Sequence, residues 1–196
     1  MLKTERFWIA GGHGGPATVN CDIIATYDGT NAPIIIASGA TIAVTPSASV
    51  AWVLGPISVN GTPLSGVQSV TIDFGLTEVT RSSDGEVYAT FAALMTRSPR
   101  ISLTTDKATY LATAGITGVA QGDTDSVVYL RKVASGSTRV ADATAEHISF
   151  TIDAGMIQPG ASNFMLDQAG AAAMDIIPVF DGSNAVLVID TTAAIA

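Results

Sequence analysis

Apolar and polar residues alternate most cleanly over residues 66–106, where Val70, Ile72, Phe74 and Leu76 interleave with Thr71, Asp73, Gly75 and Thr77. Side chains on a pleated backbone change face at every residue, so this pattern predicts a half-buried strand. A polar loop through Arg81, Ser82, Ser83, Asp84 and Gly85 follows. Its Asp-Gly step predicts a turn, because glycine accepts the positive φ that a tight hairpin needs. The next run, residues 86–95, is apolar on both faces, which predicts a central strand covered on both sides. Pro99 breaks that run, and Ile101 and Leu103 then alternate with Ser102 and Thr104 in a third strand.

Shorter strands are expected on either side of this block, at residues 7–10, 18–27, 34–36, 41–44, 50–54, 127–133 and 147–153. Four glycines and a proline surround His13 (Gly11-Gly12-His13-Gly14-Gly15-Pro16). Residues 1–16 are therefore read as a flexible, glycine-rich arm ahead of one β-rich domain spanning 17–196. One helix is expected, over 106–114, with Thr105 or Asp106 as its cap and Gly115 beyond its end. Residues 118–125 read as a loop, 158–160 (Gln-Pro-Gly) as a turn, and 164–174 as ambiguous between helix and strand. The chain closes on a predicted hairpin, 176–180 and 185–190, turning at Asp181-Gly182-Ser183-Asn184. That turn echoes Asp28-Gly29-Thr30-Asn31, and residues 69–76 echo 149–156; convergent turn and strand chemistry accounts for both. The fold class predicted is all-β, a sandwich or barrel with one short flanking helix.

Composition changes the picture in one respect. Charged residues make up 13% of the 196 and apolar residues 47%, against about 25% charged in an average soluble domain; mean hydropathy is +0.41. So little charge predicts that much of the surface is covered by copies of the chain or by a partner. The net charge of −8, from 9 Lys+Arg and 17 Asp+Glu, argues against a protein built to grip nucleic acid, because neutralising phosphates takes clustered cations. No window holds about 18 uninterrupted apolar residues, so no membrane-spanning helix is expected.

The search for chemistry finds nothing assembled. His13 and His147 stand in no ligand spacing, and the GGHGG stretch has no G-x-S-x-G nucleophile elbow to accompany it. His13 reads as an arm residue and His147 as an ordinary edge or surface residue. Cys21 lies between Asn20 and Asp22, which disfavour a thiolate, so it reads as a packing residue. Asp123 and Asp125 have the D-x-D step of a calcium loop without its glycine or closing glutamate. The sequence therefore predicts no catalytic centre, no metal and no cofactor.

One pattern remains. The succession Ile72-Asp73-Phe74-Gly75, Ser83-Asp84-Gly85, Glu86-Val87-Tyr88-Ala89-Thr90-Phe91 and Pro99-Arg100-Ile101 resembles the tail tube proteins of long-tailed bacteriophages. The resemblance covers residues 66–106 and contains no catalytic signature. It implies a β-sandwich or barrel flanked by a helix, forming rings, usually hexameric, whose inner strands join into one barrel. The rings would stack into a conduit for DNA ejection. Its partners would be copies of itself and other tail proteins, with duplex DNA only as passing cargo, in a virion tail assembled in the host cytoplasm. On this reading Phe7, Trp8, Arg81 and Asp84 contact neighbouring subunits. Thr71 and Asp73, opposite Ile72 and Phe74, face the lumen, with Glu86 near a rim. Two other classes share the composition. One is a phage head decoration protein, and the other a free-standing carbohydrate-binding β-sandwich with only Trp8 and Trp52 as tryptophans.

Overall fold

The computed structural model describes residues 2–34, 50–83, 85–107, 120–134, 138–163 and 171–195. In chain order the strands are β1 (Leu2–Gly12), β2 (Thr18–Ala25), β3 (Ala51–Val59), β4 (Thr62–Leu64), β5 (Val67–Asp73), β6 (Leu76–Arg81) and β7 (Phe91–Arg97). They continue with β8 (Arg100–Thr105), β9 (Ala120–Ala134), β10 (Thr138–Arg139), β11 (His147–Asn163), β12 (Ala171–Pro178) and β13 (Val188–Ala193). Among the described residues every pairing is antiparallel and no helix occurs. One large sheet runs β2-β1-β5-β8-β12-β11-β9-β3-β4, with β10 on β9 and β13 on β11, while β6 and β7 pair only with each other. The architecture is all-β and sandwich-like, because the large sheet curls back upon itself. Pro16 bridges Val53, the Ala17 N–H donates to the Trp52 carbonyl at 2.6 Å, and Gly11 looks across at Leu54 and Leu130.

Register explains the core. Ile9 opposes Ile72, Ile72 opposes Ile101, Ile101 opposes Ile176, and Ile176 opposes Ile157. This row of isoleucines crosses five strands, and each member is at most 9% exposed. Branched side chains at directly opposed positions pack on the pleat and specify register, since a slip of one residue would turn the row to the other face. The adjacent row on that other face is Ala10, Thr71, Ser102, Asp175 and Gln158. The sheet thus has an isoleucine face and a small, polar face.

Several expectations are corrected. Residues 1–16 are not a loose arm: Leu2–Gly12 is an eleven-residue strand hydrogen-bonded to β2 and, through Trp8–Gly12, to β5. Of the glycines that suggested an arm, Gly11 and Gly12 belong to β1 and pair with Val70 and Ser69, while Gly14, at φ +78, and Gly15 form the β1–β2 turn; a boundary after residue 16 divides strands of one sheet. Of the helix expected over 106–114, Asp106 and Lys107 follow β8 as a bend, and 108–114 lie outside the described residues. The expected strands at 35–36 and 41–44 also lie outside them. The loop expected at 118–125 is strand from Ala120 onward. The Gln158-Pro159-Gly160 turn is instead a register shift inside β11, between Pro159 and Ser162, where the proline's missing N–H leaves no ladder bond to lose. The closing hairpin does not form: β13 pairs with β11, not with β12.

The central block differs most. Four strands occupy it, and they form one long two-stranded ribbon. Asp73 opposes Arg100, and three residues further along each strand Leu76 opposes Arg97. Pairing therefore keeps count across the interruption at Phe74-Gly75 and Ser98-Pro99. Gly75 carries φ +55 there, its carbonyl accepts the Ser98 N–H at 3.1 Å, and its N–H donates to Asp73 Oδ1 at 2.8 Å. The proximal half of the ribbon (β5, β8) lies inside the large sheet, and the distal half (β6, β7) leaves it.

Candidate assembly surfaces

The distal ribbon exposes apolar side chains. Residues 86–95 were expected to be covered on both faces. Instead the strand begins only at Phe91, and Phe91 is 52% exposed, Met95 66% and Val87, in the loop before it, 88%. The physical reason is that, among the described residues, β7 pairs with β6 alone and lies outside the large sheet, so that Ala92 is the one buried residue of the strand. The tip is nevertheless well held. Glu86 N–H donates to the Ser83 carbonyl at 3.1 Å and Thr90 N–H to the Arg81 carbonyl at 3.0 Å, with Gly85 at φ +74 in the expected turn. Tyr27 N–H donates to the Ala89 carbonyl at 2.9 Å, and the Tyr27 and Tyr88 rings meet at 6.2 Å between centroids. The segment that follows β2 thus pins the ribbon tip.

That pinning segment is itself rigidified by Asp28. Its Oδ1 accepts the Thr30 and Asn31 N–H groups at 2.9 and 2.6 Å, and its Oδ2 accepts the Asn31 side-chain amide at 3.1 Å. The Asn31 bonds above all, then the Thr30 N–H, hold the Asp28 carboxyl at about 2, well below its ordinary value. Asp181 repeats the arrangement with Ser183 and Asn184, and the same backbone bonds, Asn184 first, lower its pKa. The sequence echo between these segments is therefore one local hydrogen-bond motif used twice.

A second surface is the β2 edge of the large sheet, which has no strand beyond it among the described residues. β2 is terminal in the strand order, and Val19, which continues the isoleucine row beyond Ile9, is 58% exposed; Ile23, on the same strand, is 56%. Cys21, expected to pack inside, is exposed on this edge strand. An unpaired edge with apolar side chains is a template for another strand.

The small, polar face is the third. Thr71 is half-buried on it and Asp73 exposed, both opposite the buried Val70 and Ile72, so the expected division of faces along this strand matches the structure. Around them Ser69 Oγ and Thr104 Oγ1 lie 2.7 Å apart, and Ser102 Oγ donates to Asp175 Oδ1 at 2.5 Å. Arg100 approaches the other Asp175 oxygen at 3.8 Å across a largely solvated gap.

The named residues do not gather into one site. Phe7 pairs through its backbone with Cys21, and Trp8, half-buried, stands opposite both Asn20 and Asp73. Arg81, opposite Phe91, and Glu86 are exposed at the distal ribbon, the length of the ribbon away from Thr71; Asp84 lies outside the described residues. Sequence reasoning missed Val87, Phe91 and Met95 because it took their apolar character as a sign of burial. It also read His147 as an ordinary edge or surface residue. His147 is fully buried: its Nδ1 accepts the Lys132 N–H at 3.0 Å, leaving Nε2–H to donate to the Ala141 carbonyl at 3.1 Å. Both ring nitrogens thereby hold the chain between β9 and β11 in place. His13 is exposed at the β1–β2 turn. Among the described residues no three His, Cys, Asp or Glu side chains group as metal ligands, and no helix is long and apolar enough to cross a membrane. In comparisons with known proteins, no family model matches the chain and no curated protein matches it in sequence.

Proposed function

We propose that this chain is a structural subunit that assembles with copies of itself into stacked rings around a bore, as the tail tube of a long-tailed phage does. The observation that carries the reading is the distal ribbon. A well-held, two-stranded projection with Val87, Phe91 and Met95 in water loses free energy by staying solvated, and burying one such side chain contributes roughly 1.5–3 kcal/mol. The open β2 edge supports the same reading, since strand pairing between copies would remove it. The polar face supplies a lining: Thr71, Ser102 and Thr104 with Asp73 and Asp175 present hydroxyls and carboxylates, and Arg100 is its balancing cation. Carboxylate facing phosphate keeps a passing duplex from adhering.

Electron microscopy of the purified, concentrated protein tests the reading. Stacked rings with a continuous channel, lined by Thr71 and Asp73, are the expected result. Persistent monomers, an assembly without a channel, or a bore of net positive charge would each reject it.

A further inference from the structure

Where the distal ribbon leaves the sheet, Phe74, Leu76, Pro99, Leu187 and Ile189 line an apolar groove of about 400 Å³, with Arg97 the one charged residue in its wall. Arg97 is exposed and makes no ion pair among the described residues. We propose that this groove receives the ribbon tip of a second copy of the chain, with Val87 entering the apolar floor and Glu86 meeting Arg97. The inference rests on the self-assembling reading above and names the contact that would drive it.

Three observations select this occupant. First, the tip carries the most exposed large apolar side chain among the described residues, Val87 at 88%, directly beside an exposed carboxylate, Glu86. Groove and tip are thus complementary in both respects, apolar to apolar and cation to anion. Second, Glu86 and Asp28 line one recess at the tip, so that these two carboxylates stand beside the cation Arg81 at the end of β6, while Arg97 lies at the ribbon's root. Third, the tip cannot fill its own groove. The groove begins at Leu76 and the tip loop only follows Arg81, a separation of roughly 17 Å at about 3.3 Å per residue. The contact must therefore be made in trans, tip of one copy into root of the next. That is a head-to-tail contact, which repeats around a ring or along a filament and does not close as a twofold dimer. The bonds from Tyr27 and Thr90 hold the tip loop in shape before contact, which lowers the ordering cost of docking.

Charge reversal tests it, because both positions are exposed and neither holds the sheet. Glu86→Arg and Arg97→Glu should each reduce the sedimenting, polymeric fraction by about tenfold or more, since like charges then meet in the contact. The double variant, with the charges exchanged, should recover it. Val87→Asp should fail as the single reversals do. Mixing Val87→Asp with Arg97→Glu should give a one-to-one heterodimer, since each retains the half that the other lacks. Circular dichroism and thermal midpoints identical to the parent chain identify the variants as folded. Normal assembly of both single reversals, or no recovery in the folded double variant, overturns the contact. The two readings fail separately. Tubes that form unchanged in all variants reject this contact and leave the tube reading standing. A charge-swap recovery that yields bore-less filaments upholds the contact and rejects the tube.

Discussion

β7 and β8 are consecutive strands of one ribbon, separated by Ser98 and Pro99, and they have opposite fates. In β8 every second residue is buried: Ile101 and Leu103 are at most 2% exposed and Thr105 is fully buried. In β7 only Ala92 is buried, while Phe91, Leu94 and Met95 stand in water. Intrinsic preference does not separate them, for β7 is if anything the more apolar. What differs is neighbours. β8 lies between β5 and β12 and turns a branched face onto the curled sheet, whereas among the described residues β7 pairs with β6 alone. The lesson is that alternation reports a sheet already roofed on one side, and an unalternating apolar run reports either two roofs or none.

The sharpest way to break this comparison is to truncate one side chain in each strand. Ile101→Ala removes a fully buried residue from the isoleucine row and should cost about 2–5 kcal/mol of unfolding free energy, as large-to-small core changes do. Met95→Ala in the monomer should change stability by no more than about 0.5 kcal/mol, the range of unremarkable surface changes. Denaturant titrations of both variants, at concentrations where the protein is monomeric, give the two numbers. A Met95→Ala loss as large as that of Ile101→Ala would mean that β7 is covered in the folded chain.

The junction between the two halves offers a smaller effect. Gly75 has φ +55, and a Cβ there would run into the Ser98 carbonyl that faces it. Gly75→Ala is therefore strained twice over, by conformation and by contact, and should destabilise by about 1–3 kcal/mol. Since the adjoining pairs Asp73–Arg100 and Leu76–Arg97 depend on that crossing, amide exchange should quicken in β6 and β7 more than in β5 and β8. Uniform quickening along the whole ribbon would show that the two halves are not separable as described.

The same contrast explains what the sequence could and could not convey. β5, β8 and the division of Thr71 and Asp73 from Val70 and Ile72 follow from period-two alternation, a local property that survives without knowledge of the partner strands. The Asn60-Gly61 turn between β3 and β4 is equally local, since an Asn-Gly pair takes the positive φ at both residues that a two-residue hairpin requires. What failed was everything set by distant neighbours. Leu2–Gly12 is a strand because β2 and β5 flank it, not because of its glycines. β13 leaves β12 for β11, a choice that the local Asp-Gly turn does not encode. His147 is buried because the Lys132 N–H and Ala141 carbonyl satisfy both its nitrogens, and those partners lie 15 and 6 residues away. The candidate assembly contact was half visible: the tip loop stood out as polar punctuation, but its groove combines residues near 74–76, 97–99 and 186–189, which only the fold brings together.

The smallest expected effect concerns how firmly the exposed tip is held, and it turns on acid. Asp28 anchors the segment that pins the tip, and its folded pKa of about 2 lies below the ordinary value of about 3.9 for an aspartate. A carboxyl depressed by folding contributes stability that is complete above the unfolded value and is lost as pH falls through the folded one. The contribution of Asp28 should thus be intact above about pH 4 and vanish towards pH 2. Because the group is fully solvated, the effect on global stability is slight, and local readouts are the ones to follow. Carboxyl NMR should titrate Asp28 near 2, and Tyr27 N–H, donated to Ala89, should exchange faster as it protonates. Asp28→Asn should already show the faster exchange at neutral pH and little further change on acidification. Asp181, whose twin motif follows β12 and pins no ribbon, provides the control: protonating it should leave Tyr27 exchange untouched. An Asp28 titrating at the ordinary value, or an unaltered Tyr27 amide in Asp28→Asn, would detach the loop from the tip and leave the ribbon held by its own turn alone.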